Sequence, residues 1–253
     1  MKIKILGSGT STGVPEIGCT CPVCTSNNPY DKRLRTSALI QTDDVTLLMD
    51  CGPDFREQML HTPFGKIDAV LTTHEHYDHV GGLDDLRPFC RFGKVPIYAE
   101  GYTVDALRLR MPYCFAEKKY PGVPDIALFE IAVNQPFRVN QTEIIPFRVM
   151  HGRLPILGYR IDNMAYITDM LTMPDESFDL LKDLDVLILK ALRLETHISH
   201  QTLEEALHTA ERIGAAKTYL IHMSHHIGLH ADIDKILPKN VSLTYDGLEI
   251  VSN

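Results

Sequence analysis

The sequence predicts an αββα sandwich: two β-sheets face to face with helices on their outer faces, in a single domain over residues 1–253. Three observations carry that expectation. Both halves alternate short runs rich in Ile, Val and Leu with turn residues and helical stretches. At 253 residues and 44% hydrophobic, the chain has enough length and apolar content for one sizeable core. Metal-ligating side chains recur just past several apolar runs, where rigid sheets hold them best.

Taken in order, Ile3 to Leu6, Ser37 to Gln41, Val45 to Met49 and Ile67 to Thr72 read as strands, with Asp43 and Asp44 as a hairpin turn. Val95 to Ala99 follows, then a helix beginning near Gly101. Arg110 to Gln135 mixes aromatics, Pro and charge without clear period and reads as a lid or surface excursion, with a strand expected over Leu128 to Val133. Strands resume at Glu143 to Met150, Leu157 to Ile161 and Met164 to Thr168. A helix near Pro174 to Lys182, a buried strand Asp185 to Leu189, a helix Leu203 to Ile213 and a strand Lys217 to Ile221 complete the pattern. Thr202 and Glu205 have capping-box spacing at the start of that last helix.

Charge narrows the partners. The net charge is −8, and no basic cluster exceeds the pair Lys118 and Lys119, which disfavours a nucleic-acid footprint and favours a small-molecule substrate. The opening MKIKILGSGTSTG has no secretory h-region, and no apolar run is long enough for a bilayer, so a cytoplasmic protein with no membrane partner is expected. A homodimer is one assembly open to it. Six cysteines without an export signal point away from disulfides.

The stretch THEHYDHVGG places His74, His76, Asp78 and His79 within six positions directly after an apolar run. Imidazole nitrogens and carboxylate oxygens converging where a strand gives way to a helix suit a divalent first-row metal. Three more donors stand just past later strands: His151 after FRVM, Asp169 after AYIT and His222 after TYLI. A second cluster, GCTCPVC, brings Cys19, Cys21 and Cys24 close together but leaves a tetrahedral zinc one ligand short. His225, three residues past His222, is the expected fourth ligand, with His226 its competitor. Arg56 and Arg87 could reach an anion, although ion-paired or solvated arginines are commoner. The GSGTSTG loop lacks the phosphate-binding glycine patterns and reads as a tight turn beside the site.

The order HxHxDH, then a lone His, a lone Asp and a last His, resembles the metallo-β-lactamase superfamily. The resemblance implies that His74, His76 and His151 hold one ion, that Asp78, His79 and His222 hold the other, and that Asp169 bridges them. It implies hydrolysis by a hydroxide held between two cations roughly 3.5 to 4 Å apart. His rather than Glu at position 76 counts against the di-iron oxidoreductase branch. Two cations, less the charges of Asp78, Asp169 and one hydroxide, leave a formal excess of about +1, which suits an anionic phosphodiester.

Within that superfamily the chain is similar to the PhnP family of phosphoribosyl cyclic phosphate phosphodiesterases, from GSGTSTGVPEIGCTCPVC through THEHYDHVGGLDDLRPF to LIHMSHH and YDGLEI. This implies manganese (or zinc) at the catalytic pair, zinc at the cysteine site, and small cyclic phosphodiesters as substrates. Asp78 and His200 are the expected catalytic residues, His200 assisting as general acid or substrate-binding group. Lys190 departs from the family, where Asp or Asn is expected, and bears on the substrate pocket. The rival readings are a tRNA 3′-processing endonuclease of the same superfamily and a non-catalytic metal-dependent binding or carrier protein.

Overall fold

Branched aliphatic runs three to ten residues long, too short and too apolar for surface helices, become buried strands, and the computed structural model gathers fourteen of them into two seven-stranded sheets among the described residues, 1–252. The first sheet contains β1 (Lys2–Gly7), β2 (Ser37–Gln41), β3 (Thr46–Met49), β4 (Ala69–Leu71), β5 (Val95–Ala99) and β6 (Ile126–Glu130). The second contains β7 (Phe137–Val139), β8 (Thr142–His151), β9 (Leu154–Ile161), β10 (Met164–Ile167), β11 (Val186–Lys190), β12 (Lys217–Ile221) and β13 (Val241–Leu243). The last strand, β14 (Glu249–Val251), returns to the first sheet, whose order is β14-β1-β2-β3-β4-β5-β6. The second runs β13-β12-β11-β10-β9-β8-β7.

Strands β3 to β6 are mutually parallel, as are β10 to β13, so within each set the C-terminal ends share one edge. Between the sheets lies a core built from Ile3, Ile40, Leu47 and Leu71 on one side and Ile144, Tyr159, Tyr166 and Ile188 on the other. A second apolar layer joins the outer face of the second sheet to the helix Leu203–Ile213. A third joins the first sheet to Phe55, Leu86, Phe89 and Leu107. The layers are therefore helix, sheet, sheet, helix, as expected.

Several boundaries differ from the sequence reading. The helix expected over Pro174 to Lys182 is confined to Asp175–Asp179, because Arg160 draws the carbonyls of Leu180 and Lys182 outward and Asp183 turns the chain at φ 58°. The strand expected at Leu128 to Val133 pairs earlier, Val95 with Ile126 through Ala99 with Glu130. The stretch Arg110 to Gln135 is thus not a bare excursion: it contains β6 and a short helix, Pro112–Phe115. Strands β7, β13 and β14, three residues each, are too short to show a period. The capping box is present, Thr202 N–H donating to Glu205 Oε2 at 2.8 Å and Glu205 N–H to Thr202 Oγ1 at 3.2 Å. No helix among the described residues is long and apolar enough to cross a membrane.

Candidate metal centre

Four strand ends meet at one place. The chain leaves β4 through Thr72 and Thr73 into the His74 to His79 motif, whose last residues form a one-turn helix, Tyr77–Val80. That turn lies against Gly52, where a Cβ would come within 2.1 Å of the Asp78 carbonyl, so only glycine admits this approach. His151 closes β8, Asp169 follows β10, and His222 follows β12. Asp169 and His222 adopt left-handed backbone, φ 49° and 61°, as does Asp50 past β3, φ 55°. Non-glycine residues rarely accept that conformation, and its cost is of the order of 1–3 kcal/mol each where functional geometry requires it.

The predicted donors assemble in two adjoining groups, His74 with His76 and His151, and Asp78 with His79, Asp169 and His222, the donor atoms of each lying within 4.8 Å of one another. Asp169 also falls in a group with His151 and His200, which puts its carboxylate between the two. His79 Nε2 lies 3.1 Å from Asp78 Oδ2 and 3.0 Å from Asp169 Oδ2, and His222 Nε2 lies 3.2 Å from Asp169 Oδ1. Yet His79 Nε2 and His222 Nε2 are buried without a hydrogen-bond partner. His79 already directs Nδ1 at Asp50 Oδ2, 2.8 Å away, so its Nε2 lone pair faces two carboxylates. Lone pairs aimed at carboxylates repel unless a cation lies among them, and this donor set fits a divalent metal.

The electrostatics agree. Burial alone would lower the His79 pKa, but the Asp78, Asp169 and Asp50 carboxylates raise it well above the usual range. Burial opposes ionisation of Asp169, but His222 and His79 hold it well below the ordinary carboxylate range. The cluster attracts a positive charge, and a proton takes that role when nothing else does.

Behind the donors lies a shell that the sequence reading missed. Asp50, completely buried, accepts from Thr73 N–H at 2.8 Å and from His79. The Ser199 carbonyl lies 3.0 Å from His151 Nδ1, and Thr168 Oγ1 donates to Asp169 Oδ2 at 2.7 Å. Asp50 carried one legible signal, because it too stands just past an apolar run, TLLM.

His200 lies at the edge of the cluster, its Nδ1 3.7 Å from Asp169 Oδ1 and its ring 4.4 Å from that of His151. Burial, followed by the nearby Lys190, lowers its pKa to about 2, so its imidazole is neutral. Lys190 is fully buried, its Nζ donating to the Gln201 carbonyl, so it supports the site from behind. Arg87 pairs with Asp84 on the surface and Arg56 is exposed on the helix Phe55–Leu60, as the commoner expectation for arginines has it. The GSGTSTG loop runs along the ligand-bearing segment, Thr10 N–H donating to the Met223 carbonyl at 3.1 Å.

The cysteine cluster assembles with His225: its Nδ1 lies 3.3 Å from Cys19 Sγ and 3.2 Å from Cys21 Sγ, and Cys24 completes the group. His226 is exposed. The opposite nitrogen of His225 contacts Glu16 Oε2 at 3.2 Å, the outer carboxylate that commonly orients a ligating histidine. The Cys24 backbone N–H and His225 lower the Cys21 pKa to about 6, whereas burial lifts Cys24 to about 11.

Residues 46–223 match the profile of the beta-lactamase superfamily domain. The chain is similar over its whole length to a crystallised diphosphatase of the PhnP family, at 39% identity and a TM-score of 0.92, covering 98% of that chain. It is also 49% identical over 253 residues to the octanoyltransferase of Porphyromonas gingivalis, where it spans about half of the relative's length, 51%, against 99% of its own. Human tRNase Z, short form, at 19% identity and a TM-score of 0.75 over 99% of each chain, shares the fold.

Proposed function

The chain belongs to the beta-lactamase superfamily and to its PhnP branch, and from that premise we propose that this hydrolase cleaves small phosphodiesters, cyclic ones included, with two divalent cations. One observation supports the reading most directly: buried imidazole lone pairs and carboxylates converge at hydrogen-bond distance without hydrogen bonds. His74, His76 and His151 would hold one ion, Asp78, His79 and His222 the other, and Asp169 would be shared. Such a pair, when bound, supplies Lewis-acid stabilisation of phosphoryl oxygens and activates a water nucleophile.

The protein's own groups do the rest. Only Asp78 and Asp169 bring negative charge to the donor set, which leaves the loaded site positive and favours an anionic substrate. Asp50 and the Ser199 carbonyl fix the tautomers of His79 and His151. His200, neutral at any working pH, donates a hydrogen bond to the leaving or phosphoryl oxygen rather than delivering a proton from an imidazolium.

A second reading is phosphoanhydride hydrolysis, favoured by the PhnP-family diphosphatase at 39% identity. Acyl transfer, the activity named for the P. gingivalis relative, is not carried over, since the match covers only half of that protein. Chelator-stripped protein reloaded with manganese, assayed on bis-p-nitrophenyl phosphate, a 2′,3′-cyclic nucleotide and ADP-ribose, tests both. Turnover of the diesters, lost on stripping and regained on reloading, is the expected result. Turnover of ADP-ribose alone selects the second reading, faster cleavage of precursor tRNA selects a nuclease, and inertness with every divalent metal removes the hydrolase proposal. In the same assay His200→Gln is expected to lower kcat roughly 100-fold while both ions stay bound. The acid limb of its pH profile stays in place, because a histidine with its pKa near 2 does not titrate there.

The cysteine group would hold a structural zinc that clamps the Cys19 to Cys24 loop to the segment following His222. Cys21→Ser is expected to remove one equivalent of zinc from the folded protein, read by metal analysis after dialysis. Retention of all the zinc would exclude this assignment.

A further inference from the structure

In the parallel part of the second sheet, β11 runs between β10 and β12, whose next residues lead to Asp169 and His222. The middle strand ends on Lys190, in register with Ile221, the residue before His222. Lys190 is 0% exposed, and the Gln201 carbonyl, 3.1 Å from its Nζ, is its one polar partner among the described residues. A buried lysine with one acceptor is costly to keep, and burial drives its pKa well below the usual lysine range. A fold that needed only filling here would be as well served by an apolar chain.

The accepting carbonyl shows what the amine controls. Gln201 ends the segment Leu192 to Gln201, which carries the Ser199 carbonyl to His151 and sets His200 beside Asp169. The same segment closes on itself through Leu192 N–H to the Gln201 carbonyl, 3.2 Å, and on the residue after Asp169 through Gln201 N–H to the Met170 carbonyl, 3.1 Å. The amine and these two backbone bonds all meet at Gln201.

We propose that Lys190 is a positioning residue: from beneath the metal centre it fixes the Gln201 carbonyl and thereby sets His200 and Ser199 against the ligand cluster. Displacing a reacting-site group by about 1 Å can cost on the order of 100-fold in rate, so one hydrogen bond at this pivot has leverage. The kinetic arm of the test rests on the hydrolase reading; the exchange arm does not.

Lys190→Met keeps the volume and removes the donor. Hydrogen–deuterium exchange is expected to quicken across residues 192–201 while β10, β11 and β12 exchange as in the wild type. With manganese in excess, to offset any loosening of the Ser199 contact to His151, metal content is expected to stay native. On bis-p-nitrophenyl phosphate kcat falls at least roughly tenfold with KM little changed, a split that marks lost positioning rather than lost binding. Lys190→Gln, which keeps an N–H donor on a chain one bond shorter, recovers part of both effects. Native exchange and native kcat in Lys190→Met overturn the proposal. So does a loss of rate that merely tracks loss of metal or faster exchange throughout the sheet. Should Lys190→Met fail to fold, Lys190→Gln decides: fast exchange confined to 192–201 upholds the proposal, and fast exchange spread through β11 overturns it. Inertness toward every substrate with quickened 192–201 exchange would sink the functional reading and leave the positioning role standing.

Discussion

Asp169→Asn is expected to lower turnover by roughly 10³-fold and to release metal from the folded protein, since about 4 kcal/mol of charge stabilisation is at stake if Asp169 is the shared ligand proposed above. Asparagine keeps the shape of the side chain and its contact with Thr168, so the fold has no steric reason to change. What disappears is the charge that faces His79 Nε2 at 3.0 Å and His222 Nε2 at 3.2 Å. An amide puts one weak acceptor and one N–H donor where two anionic oxygens stood, and the donor opposes a cation. Excess metal is not expected to restore the rate, because the missing element is a ligand and not its orientation. In the metal-free protein the sign is also fixed: a carboxylate held below its unfolded value of 3.8 contributes stability above that pH and loses it as the pH falls further. The stability gap between wild type and Asp169→Asn therefore narrows in acid. Metal analysis and kcat together check the prediction, and a variant that binds both ions and works within tenfold of wild type would show that Asp169 is not shared.

Outside the His74 to His79 motif, the site was legible because its donors obey one local rule. A residue just past a buried strand is held by the sheet, and applying that rule to FRVM, AYIT and TYLI yields His151, Asp169 and His222. Asp50 obeys the rule as well, past TLLM, but its role depends on a hydrogen bond to His79 across 29 positions of chain, which no local pattern encodes. The choice between His225 and His226 was closed to spacing for a similar reason. They sit side by side in a 3₁₀ turn, His225–Ile227, where successive side chains diverge by about 120°, so one reaches the thiols and the other points to solvent. Lys190 shows the limit in the other direction. A lysine after an apolar strand reads as a pocket residue, and only the path of Leu192 to Gln201 over the sheet shows that its amine turns toward a backbone carbonyl. The two-layer architecture followed from counting apolar runs. The three-residue edge strands β7, β13 and β14 escaped because pairing with a neighbour, rather than their own composition, makes them strands.

Asp50→Asn separates orientation of a ligand from ligation itself. Asp50 Oδ1 accepts the Thr73 N–H at 2.8 Å and Oδ2 accepts His79 Nδ1–H at 2.8 Å, in a pocket with no access to water. A backbone N–H cannot change its role, so the amide oxygen of asparagine takes that position and its NH₂ faces His79 Nδ1. The imidazole then accepts at Nδ1 and carries its proton on Nε2, the atom that faces Asp78 and Asp169. The change removes no ligand, yet a proton now occupies the lone pair a cation requires. Metal affinity is expected to fall 10- to 100-fold, the usual range for an outer-shell partner. Titration with manganese is expected to recover most of the rate at raised concentration, unlike Asp169→Asn. The fold should survive, since burial raises the Asp50 pKa and a neutral group there avoids the cost of a buried charge. Wild-type manganese affinity in Asp50→Asn would mean that His79 needs no partner to present Nε2. A rate that excess metal leaves depressed would mean that the carboxylate does more than hold a tautomer.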